Sequence, residues 1–319
     1  MVAAARRLQG LAVTTPLISC PALDDRTGAR VFLKAESLQR TGSFKFRGAY
    51  NTIAMLSQAE RSRGVVAASS GNHAQGVAEA ARLFAIPATI AMPDDAPAVK
   101  RERTARSGAK VVLCPRGSDA RYAIAHEVAQ EEGATFIHPY DDARVMAGQG
   151  TVGLEIAAAL QAMGLAADRV IVPTSGGGLL SGIATALAER MPGAVCVPAE
   201  PAGFDDMTRS LEVGTRVENA VRTGSIADAL LSPMPGEKTF PNIASHVAQG
   251  AAVSDDALRR AMAFAADELK LVLEPGGAIA LAALLDGLVG VRGMTVVAVL
   301  SGGNVDKAAF ADAIAHAAY

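Results

Sequence analysis

Tryptophan is absent from the 319 residues, aromatics make up only 4%, and there are three cysteines. Cys20, Cys114 and Cys196 are odd in number, far apart and in no CxxC pair, which argues against a disulfide framework or a thiolate zinc site and suits a reducing cytoplasm. Neither sign of charge dominates. The net charge is -2 and no basic stripe is interleaved with aromatics, so neither nucleic acid nor an acidic membrane surface is implied as a partner. No run reaches the roughly 18 uncharged apolar residues of a membrane helix; AIALAALLDGLVGV from Ala278 is shorter and carries Asp286. The opening MVAAARRLQGLAVTTPLISC has two arginines before a mildly apolar stretch, but Gln9, Gly10, two threonines and Pro16 interrupt it, unlike a secretory leader. Internal repeats, low-complexity tracts and long linkers are also missing, so a second domain would have to be inserted rather than strung on.

Half of the chain is hydrophobic, enough for one large or two medium domains around substantial cores. Short β-branched runs recur: VFLKAE from Val31, VVAASS from Val65, ATIAMP from Ala88, KVVLCP from Lys110, ATFIHP from Ala134, RVIVPT from Arg169 and TVVAVLSGG from Thr295. Alanine-rich amphipathic segments such as AQGVAEAARLFA and YAIAHEVAQEEG lie between them, the latter stopped by Gly133. This alternation predicts an α/β fold with parallel sheets wound by helices. Three of the strands run straight into Gly, Ser or Asn, and ligands of such sheets bind beyond the carboxyl ends of strands.

The segment PTSGGGLLSGIATALAER, residues 173–190, is strand, glycine turn and helix, a phosphate cradle by its free amides and helix N-terminus. A dinucleotide fingerprint is the rival reading: Gly176, Gly178 and Glu200 nearly meet it, but the third glycine falls one place late, at Gly182. No Lys and Ser/Thr follow the glycines, which excludes a nucleoside-triphosphate P-loop. SSGNHAQGVAEAA, residues 69–81, brings hydroxyl, amide and imidazole groups to another helix start, suited to a carboxylate or, in the plainer account, to capping. SGGNVD, residues 301–306, sets a hydroxyl at the tip of the last strand. In SFKFRGAY, residues 43–50, Lys45 sits between two phenylalanines, a setting that keeps an amine neutral and reactive if it is buried.

In the order SFKFRGA, SSGNHAQG, AGQGT, SGGGLLSG, AEPAGFDD, EPGGA and SGGN, nearly the whole chain resembles the fold-type II pyridoxal-phosphate enzymes of the threonine dehydratase and serine racemase group. By that resemblance Lys45 is the Schiff-base lysine and Phe44 packs beside the ring. Ser175, Gly176, Gly177 and Gly178, with Leu179, hold the phosphate, Ser175 standing where the family often has a fourth glycine. Asn72 faces the ring's 3' oxygen, Glu274 belongs to the cofactor site, and Ser301 bonds the ring nitrogen as a neutral partner. Ser69, Ser70, Gly71, Asn72 and His73 line the substrate carboxylate pocket. Ala229 in SIADAL stands where many relatives have glycine.

The implied reaction is α,β-elimination from a β-hydroxy amino acid, L-threonine or L-serine first, to a 2-oxo acid and ammonia. Ser70 stands where serine racemases carry a second acid/base. Arg121, in GSDARYAIA, matches an arginine that could grip a second carboxylate, as 3-hydroxyaspartate would require, or simply face water. Glu200, Asp206 and the carbonyl of Phe204 match a divalent-cation site of hard oxygen donors fit for magnesium, calcium or manganese. A nicotinamide-dependent oxidoreductase is the distant alternative. The expected architecture is a large domain from residues 1–62 and 142–319 with a small closing domain, residues 63–141, inserted. A homodimer is implied by the family, and the end of the chain soon after SGGNVD leaves no C-terminal regulatory domain to be expected.

Overall fold

A computed structural model of the protein describes residues 1–94, 96, 98–115, 118–247 and 250–315. Its strands are β1 (Leu17–Ser19), β2 (Arg30–Lys34), β3 (Val65–Ala68), β4 (Ala88–Pro93), β5 (Lys110–Cys114), β6 (Thr135–Phe136), β7 (Arg169–Pro173), β8 (Val195–Pro201), β9 (Ala251–Val253) and β10 (Thr295–Val299). They form two sheets, one of six strands in the order β1-β2-β10-β7-β8-β9 and one of four in the order β5-β4-β3-β6. Every pairing is parallel except the short β1 against β2. Helices covering both faces bury such strands, and β7, RVIVP, accordingly reads as an apolar, fully buried run from Val170 onward.

All seven runs expected from β-branched content form strands, and β1, β8 and β9 add to them. β8 escapes the pattern because VCVPAEP carries Pro198 and Glu200. Its proline nevertheless pairs with Val172 inside the larger sheet, tolerated because burial of the flanking residues outweighs one lost ladder bond. The run beginning at Ala278 is the inner part of a helix, Pro275–Leu285, in which every residue from Gly276 onward is buried. A helix apolar all round belongs in a core, and this one packs on the larger sheet and on the helix Asp255–Glu268. No described helix is long and apolar enough to cross a membrane.

One buried ionic network anchors the helix that carries Lys45 (Lys45–Ala54). Arg47, 1% exposed, donates to both oxygens of Glu36, 0% exposed, at 2.7 and 2.8 Å and to both oxygens of Glu155 at 2.6 and 2.9 Å. Lys34 on β2 donates to Glu155 at 2.7 Å and to the carbonyl of Thr15 at 2.6 Å. Burial pushes Glu36 upward, but Arg47 and then Lys34 outweigh it and hold the carboxyl below its ordinary value. Two cations balance two carboxylates, so the lysine helix is tied to β2 and to the helix Thr151–Ala162 without an uncompensated charge.

Candidate active site

The strand ends of both sheets deliver their loops to one cavity of about 360 Å³. Into it come Lys45 with Phe44, the turn Ser69–His73 after β3, the glycine turn Ser175–Leu179 after β7, Glu274, and Ser301 after β10. Thus residues scattered over the length of the chain converge where the parallel topology directs them.

Lys45 begins its helix, and its Nζ donates to the carbonyl of Pro139 at 2.9 Å. The amine also lies 5.2 Å from the centre of the Phe44 ring. Burial drives its pKa down to about 8 against the opposing pull of Glu274. A lysine so placed has a much larger neutral fraction near pH 8 than a solvated one, the state needed for attack on a carbonyl.

The glycine turn is a cradle in the literal steric sense. Gly177 has φ +93, and a Cβ there would lie 2.7 Å from Ile243 and 2.8 Å from Met207. A Cβ on Gly176 would collide with the Tyr140 ring, and one on Gly178 would reach Tyr140 at 2.8 Å. Gly177 caps the helix Gly178–Arg190 with no side-chain bond, so the first amides are left for an anion. The loop that follows Ser232 braces the turn from outside: the Thr239 hydroxyl donates to the carbonyl of Gly176 at 2.6 Å and the Ser232 amide donates to Ser175 Oγ at 3.1 Å.

The helix Asn72–Leu83 has the same design. Its N-cap is Gly71, and no side chain caps it, so the plain capping account of Ser69, Ser70, Asn72 and His73 fails. Ser69 Oγ instead accepts from the Gly71 amide at 3.2 Å and shapes the turn. His73 donates through Nε2 to the carbonyl of Ile137 at 2.8 Å. Burial, aided by Lys45, drives His73 down to about 3, so the imidazole is neutral. Two uncapped helix N-termini and one amine therefore face a common space, an arrangement for a phosphate-bearing aldehyde and a substrate carboxylate.

The Pyridoxal-phosphate dependent enzyme family pattern matches residues 8–302. The chain belongs to this family. It is 42% identical over 303 residues to an L-threonine ammonia-lyase of Thermotoga maritima, covering 95% of this chain and 74% of that one. It is 44% identical over 306 residues to an L-threo-3-hydroxyaspartate ammonia-lyase of a Pseudomonas species, covering 96% and 94%. The solved structure of maize serine racemase superposes with a TM-score of 0.92 at 36% identity, covering 98% of this chain and 95% of that one. The fold is thus the fold-type II arrangement, and the cofactor of this enzyme family is pyridoxal phosphate.

The residues present suit that cofactor: the glycine cradle, the buried amine and a neutral hydroxyl on Ser301, 5% exposed, surround the cavity. Ala229 also lines it. The near-miss dinucleotide fingerprint has a different explanation. A Cβ on Gly182 would lie 2.5 Å from the carbonyl of Met146 and 2.6 Å from the amide of Gly150, so this glycine serves close helix packing.

Arg121 and Tyr122 reach the same cavity. Arg121 Nε is buried and has no partner among the described residues. The expected cation ligands lie apart from the cavity lining. Glu200 accepts from the amides of Met207 and Thr208 at 2.9 and 2.8 Å and from the Thr208 hydroxyl at 2.6 Å, capping the helix Asp206–Val213 in fact if not in sequence position. Asp206 Oδ1 accepts from Asn219 at 2.7 Å, whereas its Oδ2 is buried with no partner among the described residues. Burial pushes Asp206 up to about 7, and burial together with Asp206 pushes Glu200 up to about 8. A cation would remove that penalty, and the orphaned Oδ2 and the hard donors fit one. Among the described residues no group of three or more His, Cys, Asp or Glu is assembled for a metal.

Sequence reasoning missed Pro139, Tyr140 and Asp141. His138 Nδ1 accepts from the amides of Tyr140 and Asp141 at 3.3 and 2.8 Å, shaping the turn whose Pro139 carbonyl holds Lys45. Asp141 accepts from the amides of Glu237, Lys238 and Thr239. HPYDD follows the strand-forming run ATFIHP, and its position beyond a strand end was the available signal.

Proposed function

We propose that the protein is a pyridoxal-phosphate dependent ammonia-lyase that converts L-threonine and L-serine to the 2-oxo acid and ammonia. The carrying observation is that Lys45 Nζ and two uncapped helix N-termini face one cavity. Bound there, pyridoxal phosphate supplies a conjugated electron-accepting ring that acidifies the α-proton of an amino acid joined to it. Ser175 and Gly176 to Gly178 hold its phosphate, Ser301 bonds its ring nitrogen, and Asn72 faces its 3' oxygen. The amides that begin the helix Asn72–Leu83, with Ser69 and Ser70, hold the substrate carboxylate. With the substrate bound, Lys45 would be the base that takes its α-proton. The β-hydroxyl would leave as water, and the released unsaturated amine would tautomerise and be hydrolysed by a second water to the 2-oxo acid and ammonia. Ser70 is the candidate proton carrier on the opposite face, through which racemisation could accompany elimination.

A second reading, 3-hydroxyaspartate as substrate, is favoured by one observation: Arg121 borders the cavity with an unpaired buried Nε. The proposal includes a small domain, residues 63–141, that closes on a large one made of residues 1–62 and 142–319, a divalent cation at Glu200, Phe204 and Asp206, and a homodimer in the cytoplasm. The three cysteines, all buried and free, agree with a reducing compartment. The test is 2-oxo acid release from L-threonine, L-serine and the 3-hydroxyaspartates side by side, with magnesium. Release from threonine and serine supports the leading reading, preference for hydroxyaspartate moves the protein to the second, and no release from any of them refutes both.

A further inference from the structure

Asn72 is the one amide among the residues expected to touch the ring of the cofactor, and an amide has two ends. Its oxygen accepts and its nitrogen donates, so which end faces the cavity decides what it can do. The structure accounts for both ends. Asn304 Nδ2 donates to Asn72 Oδ1 at 2.8 Å, and Asn72 Nδ2 donates to Glu274 Oε1 at 2.6 Å. A reversed Asn72 would set its oxygen against the Glu274 carboxylate and its nitrogen against the nitrogen of Asn304. Two repulsive contacts would replace two hydrogen bonds.

Asn304 is itself held. The second proton of its Nδ2 goes to the carbonyl of Thr41 at 2.7 Å. Thr41 has φ 67, unusual for a β-branched residue, and Gly42 beside it has φ 74. This left-handed turn, strained at Thr41 but not at Gly42, presents the Thr41 carbonyl to Asn304, and a Cβ on Gly42 would lie 2.7 Å from Asn304 Oδ1. The Gly303 amide then returns to the Gly42 carbonyl at 2.9 Å. Both protons of Asn304 go to oxygen acceptors, and a reversed amide would set its own oxygen against both, so the side chain has one available orientation.

We infer that Asn304 is a positioning residue which fixes the amide of Asn72 with one N–H on Glu274 and the other directed at the 3' oxygen of bound pyridoxal phosphate. The inference rests on the proposed contact between Asn72 and that oxygen. SGGNVD therefore serves twice, by the hydroxyl of Ser301 and by the amide of Asn304, which also borders the cavity.

The test is a double-mutant cycle on the affinity for pyridoxal phosphate and on the visible absorption band of the loaded enzyme. Asn304→Ala and Asn72→Ala should each weaken cofactor binding by about ten-fold and shift the band, as expected when one oriented hydrogen bond is lost. The double variant should be no worse than Asn72→Ala alone. If Asn304→Ala leaves binding and band as in the wild type while Asn72→Ala changes them, the positioning role is wrong. Simple addition of the two losses in the double variant would overturn that role as well. If Asn72→Ala itself changes neither readout, the contact between Asn72 and the ring is wrong and the inference falls with it. Asn304→Leu, close in shape and uncharged but without the donor, decides the matter if the alanine variant does not fold: a positioning role predicts loss of affinity and a shifted band, and a packing role predicts wild-type values.

Discussion

The amide of Phe44 donates to the carbonyl of Ser301 at 3.2 Å, and the adjacent residues Ser43 and Gly302 form an antiparallel bridge. The segment leading into Lys45 and the segment carrying Ser301, the hydroxyl proposed for the ring nitrogen, are thereby one short backbone staple. Distant parts of the chain are held in register before any ligand arrives. Such preorganisation matters because a cofactor held at both ends gains only if its anchor points already have the right separation.

The depressed basicity of Lys45 is measurable. The rate at which the apoenzyme forms the proposed Lys45-linked cofactor complex should follow the neutral amine. With a pKa near 8 the neutral fraction rises about five-fold from pH 7 to 8 and less than about two-fold from pH 8 to 9, where a solvated lysine would gain about ten-fold at each step. Stopped-flow absorbance across that range distinguishes the two. Lys45→Ala should lose both the visible lysine-linked band and turnover; an active variant with the band intact would remove Lys45 from the mechanism.

Gly177→Ala tests the cradle. The new Cβ would face Ile243, Met207 and Thr239 at 2.7 to 2.9 Å with the backbone at φ +93. The expected cost is about 1–3 kcal/mol of stability, accompanied by at least about ten-fold weaker binding of pyridoxal phosphate. Gly193→Ala, where a Cβ meets nothing within 4 Å, is the control and should change neither. Thermal denaturation and cofactor titration provide the comparison.

Legibility in the sequence depends on the kind of interaction. Lys45, the glycine turn and the Asn72 turn are readable because each is a contiguous motif at a strand end, where chemistry and local backbone coincide. The carbonyl of Pro139 is not, since its role exists only once β6 delivers the turn to Lys45. Glu200 reads as a cation ligand, but its three bonds to Met207 and Thr208 cap a helix from the neighbouring strand, a relation invisible to capping rules that look one residue upstream. β8 is hidden by its own proline. Arg47 lies in plain view inside FRGA, yet nothing local indicates that it is fully buried between Glu36 and Glu155.

Removing Arg47 leaves Glu36 buried with only the Thr15 hydroxyl bonded to it, while Glu155 keeps Lys34. Arg47→Ala should destabilise the protein by about 3–5 kcal/mol, read by urea denaturation at pH 7. The pH dependence has a definite sign. Glu36 has a folded-state pKa below its ordinary 4.5, so its contribution is present above about that pH and is lost as pH falls through the lower folded value. Glu36→Gln should therefore flatten the acid limb of the stability curve. An acid limb unchanged in this variant would assign the slope to other carboxylates.

Asp206→Asn separates a cation site from a structural acid. In the wild type, magnesium, manganese or calcium should raise the melting temperature, by an amount corresponding to about 2.7 kcal/mol at a hundred times the dissociation constant. Chelation should reverse the gain. The variant should show no response to either. It should also be at least as stable as the cation-free wild type, because an amide replaces a carboxyl that burial holds up near 7. A wild type indifferent to cations and chelators would leave Glu200 and Asp206 as capping and packing residues.

Arg121 decides between the two substrate readings. Its buried Nε lacks a partner among the described residues, and the side chain shares the cavity rim with Tyr122 and Tyr140. A guanidinium in that condition gains most from a second carboxylate, which it can grip with two parallel N–H bonds. If hydroxyaspartate is bound in this way, Arg121→Ala should raise its KM by about ten- to hundred-fold, the loss of one charge-assisted contact, and leave the KM for threonine within about two-fold. Arg121→Lys should recover only part of the loss, because an ammonium keeps the charge without the fork. Equal effects on both substrates would mean that Arg121 shapes the cavity wall and that the β-substituent is recognised elsewhere.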